Sequence, residues 1–323
     1  MLRCIGRQWF LLLTLSAFIV PTAFAQAAGA GISYLKLSEP QKVLNDPQPW
    51  EGNEQNHTLS VVELNRDGFK YWGYYGLNEG RGVGLARSND LVHWTKYEKN
   101  PLWTDARWAS VIAGADRKNP GRLYLAITRN YDTQQSHIVL ASTDDGIHLK
   151  ELKTLVKEMP APRNRNQNPN LFRDPVSGKY YLYFYRGNDD NYFDIIVKSA
   201  ASIEDLDKAD EKILMHEKET VAAPTMLYVP NAGGPGKGVY YLATEIYPHR
   251  YANPPQGEWQ VKVFASAAPD GTFAPVEGNP VQVGERACLF QHIFNGRYYG
   301  YQSHLEHPSE KWVMEVLEAP LPQ

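Results

Sequence analysis

The sequence predicts an all-β fold, a five-bladed β-propeller whose N-terminal strand closes the last blade. Two observations carry that prediction. Four-stranded units with turn chemistry between their strands recur every roughly 50–60 residues, a period in the range of propeller blades. No stretch beyond the N-terminus keeps a long helical periodicity. A two-sheet sandwich would also be all-β, but it does not account for the regular repeat.

The clearest unit opens with Asn166-Gln167-Asn168-Pro169-Asn170-Leu171-Phe172-Arg173-Asp174-Pro175-Val176-Ser177-Gly178-Lys179-Tyr180-Tyr181-Leu182-Tyr183-Phe184-Tyr185. Asn170 to Phe172 is a short strand and Lys179 to Tyr185 an aromatic one suited to a pleated, half-buried surface. Between them Pro175 presets φ and Gly178 supplies a positive one, so the pair is a hairpin.

In chain order, residues 1–25 precede the fold. Arg3 and Arg7 precede an apolar run from Trp9 to Val20, and Ala23-Phe24-Ala25 is a small-x-small cleavage site, the pattern of a secretory signal. Residues 26–323 then form one domain, exported to the periplasm or the medium, with no later run apolar enough to span a bilayer. Ile32 to Leu37 is a lone alternating strand, expected to complete blade five and remove an exposed edge. Unit one pairs Thr58–Leu64 with Phe69–Tyr75, then Val83–Arg87 and Val92–Tyr97. Unit two is Ser110–Ala113, Leu123–Thr128, Ile138–Ser142 and Ile147–Glu151. Unit three adds Phe193–Lys198 and a polar segment near Glu204–Ile213 to the hairpin above. Unit four is Pro224–Val229, Val239–Thr244, Gln260–Ser266 and Phe273–Val276, and unit five is Leu289–Phe294, Tyr298–Gln302 and Trp312–Leu317.

Composition narrows the function. A net charge of −3 gives no electrostatic footprint for nucleic acid or an anionic membrane. Of two cysteines, Cys4 lies in the signal, which leaves Cys288 without a disulfide partner. No zinc spacing or EF-hand loop is present, so no cofactor and no metal is expected, and His292 and His304 read as structural histidines. The 20 Tyr, 8 Trp and 11 Phe suit strands, cores and sugar-stacking surfaces alike.

Strands of a blade run antiparallel from the axis outward, so the segment leading into a blade and its strand two–three loop share one face. Asp67, Asp90, Asp144, Asp145, Asp174 and Asp270 fall on the opposite face as turn residues that cap their own backbone. The functional face collects His57, Trp108, Arg129, Asn168, Arg186, Asp189, Tyr247 and Arg286 as candidate saccharide-binding residues. Planar rings stack on sugar faces, and Arg and Asn bind hydroxyls.

The run Asn168-Pro169-Asn170-Leu171-Phe172-Arg173-Asp174-Pro175 with Gly178-Lys179-Tyr180-Tyr181-Leu182-Tyr183 resembles a blade opening of five-bladed glycosidases related to glycoside hydrolase family 43. Gly84-Leu85-Ala86-Arg87-Ser88-Asn89-Asp90-Leu91-Val92-His93-Trp94 resembles their third-to-fourth-strand turn. The resemblance covers essentially the mature chain and implies an arabinose- or xylose-type glycan as substrate. It also implies an Asp base in blade one, an Asp modulator in blade three and a Glu acid in blade four, with acid and base carboxyls roughly 6.5–9.5 Å apart for inversion. At those positions this chain has His57-Thr58, Asn168 and Ala222-Ala223. Two readings stay open. In one, a glycosidase draws its carboxylates from Glu245, Glu219 and Asp105; in the other, a glycan-binding propeller has lost hydrolysis.

Overall fold

The computed structural model describes residues 31–323, apart from 52–55, 78–81, 117, 132–134, 189–191, 217–219, 251, 253–255 and 308. The signal segment, Glu219 and Asp189 therefore lie outside the described residues.

The first strand, β1 (Gln41–Val43), belongs to the last blade. Blade one is β2 (Asn56–Arg66), β3 (Phe69–Leu77), β4 (Gly82–Ser88) and β5 (Trp94–Lys96), with β6 (Trp103–Thr104) paired to the other end of β4. Blade two is β7 (Ala106–Ala113), β8 (Leu123–Arg129), β9 (His137–Thr143) and β10 (Lys150–Val156). Blade three is β11 (Asn166–Arg173), β12 (Tyr180–Gly187), β13 (Phe193–Ala200) and β14 (Glu211–His216). Blade four is β15 (Thr220–Val229), β16 (Val239–Tyr247), β17 (Gln260–Ser266) and β18 (Ala274–Pro275). Blade five is β19 (Arg286–Phe294), β20 (Arg297–Glu306) and β21 (Lys311–Pro320), with β1 at its outer edge. Every pairing within a blade is antiparallel.

An N-terminal strand does close blade five, but not the predicted one. Gln41–Val43 pairs with Met314–Val316, whereas Ile32, Leu35 and Leu37 pack their apolar side chains on the core between blades four and five. Ser33 makes only an isolated bridge to Glu277. Alternation in 32–37 thus marks a segment lying on a core. The strand that caps the edge is short and polar, as edge strands tend to be.

Strands in the middle of a blade are apolar on both faces because each face packs on a neighbouring blade. In β12, Leu182 and Phe184 join the core shared with blade two, while Tyr181, Tyr183 and Tyr185 join the core shared with blade four. The same period of two splits β8 between Leu123, Leu125 and Ile127 on one side and Tyr124 and Ala126 on the other.

Each innermost strand touches the next round the ring, and β19 meets β2. Side chains stitch their inner edges together. The Val111 N–H donates to Ser60 Oγ, Leu171 N–H to Ser110 Oγ, and Met226 N–H to Asn170 Oδ1. Thr225 Oγ1 donates to the Leu289 carbonyl, and the Val61 N–H donates to His292 Nε2, which closes the circle.

On the far face, Asp90, Asp145 and Asp174 accept backbone N–H groups of their own turns, from Val92 and His93, Ile147 and His148, and Val176 and Ser177 respectively. Asp174 also accepts the Tyr240 hydroxyl of the next blade.

Candidate active site at the ring axis

The site is built by a repeated irregularity. Each innermost strand shifts register near its start, at His57, Trp108, Asn168, Ala223 and Cys288. The last four have φ of 47°, 52°, 48° and 51°, in the left-handed region. A non-glycine residue there is strained, and a bulge of this kind re-aims side chains next to a site. Gly76 permits one of the bulges, since a Cβ on it would meet the Trp108 backbone nitrogen at 2.9 Å.

The bulged residues and their neighbours floor a cavity of about 650 Å³, to which His57, Arg107, Trp108, Gln167, Ala222 and Ala287 all contribute. Its wall is a chain of touching rings. Tyr247 meets Trp259 at 5.2 Å, Trp259 meets Trp312 at 6.5 Å, and Trp312 meets the His57 imidazole edge-on at 4.9 Å. Trp108 continues the chain to Tyr131 at 5.4 Å and to Tyr185 at 6.1 Å, and Tyr185 meets Phe193 at 4.9 Å. Arg107 lies across two of these rings, 3.7 Å from Trp108 and 4.0 Å from Tyr131. The Tyr185 hydroxyl donates to Gln167 Oε1 and fixes that amide.

Glu245 comes from the second strand of blade four, directly opposite Ala222. The small side chains of Ala222 and Ala223 sit where the resemblance expects an acid, and Glu245 enters the cavity from the neighbouring strand. Its Oε2 accepts from the Cys288 N–H at 3.1 Å and from the Cys288 thiol at 3.0 Å, and the Asn168 amide lies 3.7 Å from that sulfur. Burial pushes the Glu245 carboxyl above its ordinary range, against the Cys288 hydrogen bonds and the charges of Arg250 and Arg107. Burial, reinforced by Glu245, drives the Cys288 thiol well up. Burial, then Arg107, drives the His57 imidazole well down, so it is neutral.

One donor atom each from His57, Glu245 and Cys288 lie within 4.8 Å of one another. That set has the chemistry of a zinc site. The Arg107 charge acts on all three groups, however, and is already their counter-cation.

Of the residues expected to act on a saccharide, His57, Trp108 and Glu245 line the cavity, Asn168 lies beneath it, and Tyr247 supports its wall. The other described ones lie elsewhere. Asp105 has its side chain 59% exposed and pairs with Arg129 at 3.6 Å, while Arg129 lies over Trp103. Arg186 is spent on Asn166 and Glu211, with contacts of 2.6–2.9 Å, and Arg286 is held by Glu315 at 3.1 Å. Among the described residues, Glu245 is the single carboxylate lining the cavity.

Sequence reasoning did not single out Arg107, Arg165, Trp259, Trp312 or Cys288. A usable signal existed for some of them. Third strands also begin on the cavity face, and each of the last three blades has an aromatic residue there, Phe193, Trp259 and Trp312, the middle one just before its strand.

No protein-family model matches the sequence, and no curated protein matches it. Solved structures do match in three dimensions. A thermostable family-43 glycoside hydrolase is 16% identical with a TM-score of 0.61, over 84% of this chain and 90% of that one. An endo-arabinase from Bacteroides thetaiotaomicron is 14% identical with a TM-score of 0.57, over 83% and 94%. A fructofuranosidase from Schwanniomyces occidentalis is 14% identical with a TM-score of 0.59, over 86% of this chain and 57% of its own. At such identities the likeness speaks for the architecture alone: the chain is a five-bladed β-propeller.

Proposed function

We propose that this propeller is an exported protein that binds the end of a glycan in its axial cavity, and that Glu245 donates a proton there to a glycosidic oxygen. The observation that carries the reading is Glu245 itself, a carboxyl buried in a cavity walled by aromatic rings and raised by that burial above its ordinary value. A protonated carboxylic acid near neutral pH is what a glycosidase uses to help its leaving group depart. A cavity of about 650 Å³ suits one or two sugar rings. Arabinose- or xylose-type linkages follow from the resemblance in the sequence.

A second reading, glycan binding without hydrolysis, is favoured by one specific observation. Glu245 has no carboxylate partner among the described lining residues. Neutral His57 holds the place of the base, but its ring lies too close to Glu245 to leave the roughly 6.5–9.5 Å that an inverting pair needs for a sugar and a water.

The experiment is release of reducing ends from arabinan, xylan and aryl-glycosides by wild type and Glu245→Gln, alongside binding of the same glycans by calorimetry. The proton-donor reading expects activity that falls at least ~100-fold in the variant, as for loss of a general acid. Turnover unaltered by Glu245→Gln would refute that role. Binding without turnover in wild type would establish the second reading.

A further inference from the structure

We propose that the saccharide taken by this cavity carries an anionic substituent, a carboxylate or a sulfate, recognised by Arg165 and Arg250. The inference rests on the reading that the cavity binds a glycan, and adds its chemical class. Three arginines, Arg107, Arg165 and Arg250, line a cavity that presents one carboxyl. The chain as a whole leans the other way, with 36 acidic residues against 33 Lys and Arg. The excess of positive charge is therefore local, and a cavity of one sign with apolar walls concentrates its field on what enters.

Each arginine is positioned rather than loose. Arg107 is 2% exposed and lies against Trp108 and Tyr131. Arg250 lies over Trp259 at 4.9 Å, and Arg165 over Phe193 at 6.0 Å. Neither Arg165 nor Arg250 has an ion-pair partner among the described residues, unlike Arg122, Arg186, Arg286 and Arg297. A guanidinium also donates to neutral hydroxyls, but two without counter-ions beside a third in one cavity favour a negative group. The planar fork of a guanidinium matches a carboxylate or sulfate edge with two parallel hydrogen bonds. Glu245 is one carboxyl against three guanidinium groups, and burial raises it above its ordinary value.

The test is calorimetric titration of the mature chain with matched probes. Galactobiose is set against digalacturonate and monosulfated galactobiose, and xylobiose against a glucuronate-substituted xylobiose. Each is titrated at about 0.05 M and about 0.5 M salt, on either side of effective charge screening. The proposal expects one anionic probe to bind at least ~10-fold tighter than its neutral counterpart, with the preference shrinking at high salt. In Arg165→Ala and Arg250→Ala that ratio should fall by roughly tenfold or more, in proteins whose thermal unfolding is unchanged. Whether carboxylate or sulfate wins identifies the source of the charge. Equal or tighter binding of the neutral probes overturns the proposal and leaves the glycan reading standing. Binding of none of the probes overturns both.

Discussion

Removing Glu51 should cost this fold more than any surface change. The carboxylate is 1% exposed and holds three groups. Lys96 Nζ donates to it at 2.7 Å, the Tyr75 hydroxyl at 2.6 Å and the Gln48 N–H at 2.7 Å. The Asn100 amide completes the cluster by donating to the Tyr75 oxygen at 3.0 Å. Lys96 has its side chain 8% exposed, and its remaining bond to the Asp46 carbonyl cannot neutralise it. Glu51→Ala leaves a buried ammonium without a counter-charge, a change that costs about 3–5 kcal/mol. A buried phenol losing its acceptor adds about 1–3 kcal/mol when nothing replaces it. We therefore expect about 4 kcal/mol, towards the middle of the first range because Lys96 keeps one bond. The assay is guanidinium unfolding followed by tryptophan fluorescence, with Glu51→Ala, Lys96→Met and the pair. Because Lys96→Met removes the charge that Glu51→Ala strands, the double variant should be more stable than additivity predicts, by about 1–3 kcal/mol. A Glu51→Ala cost below about 1 kcal/mol, or strict additivity, would refute the reasoning.

Three further outcomes are expected. His292 is buried and lowered by burial to about 4 from its usual 6.5, so the unfolded chain binds its proton first. Its contribution is complete above pH 6.5 and is lost as pH falls towards 4; His292→Gln should flatten that part of the unfolding-temperature profile. Glu245 has the opposite sign, because its folded state keeps the proton longer. Stability is lost as pH rises above the ordinary carboxylate value of 4.5, and Glu245→Gln should remove that loss in the same scans. Asp105→Asn should leave glycan binding within about twofold of wild type and stability within about 0.5 kcal/mol, since an exposed pair with Arg129 contributes little. A tenfold loss of affinity would return Asp105 to the site.

Much of the fold was legible because it is local. Asp-Pro and Ser-Gly turns, period-two strands and a recurring unit specify blades through contacts a few residues apart, and Asp90, Asp145 and Asp174 act as the turn caps their sequence neighbourhood implies. The closing strand was misplaced because alternation records burial of one face. Leu35 and Leu37 bury that face without joining a strand, while Gln41–Val43 pairs without an apolar pattern.

The site divides along the same line. Sequence by itself determined that the expected carboxylate positions carry His57, Asn168 and Ala222, and that Glu245 ends a strand on the functional face. Only the tertiary structure decided that Glu245 turns into the axis beside Cys288, while Asp105, Arg129, Arg186 and Arg286 are taken up by partners outside the cavity. The physical reason is the bulge at the start of each inner strand. At Trp108, Asn168, Ala223 and Cys288 the unpaired residue has a positive φ, a rotation of the backbone that re-aims side chains beside the cavity. That rotation depends on five strands from distant parts of the chain meeting in a ring, which no local pattern records.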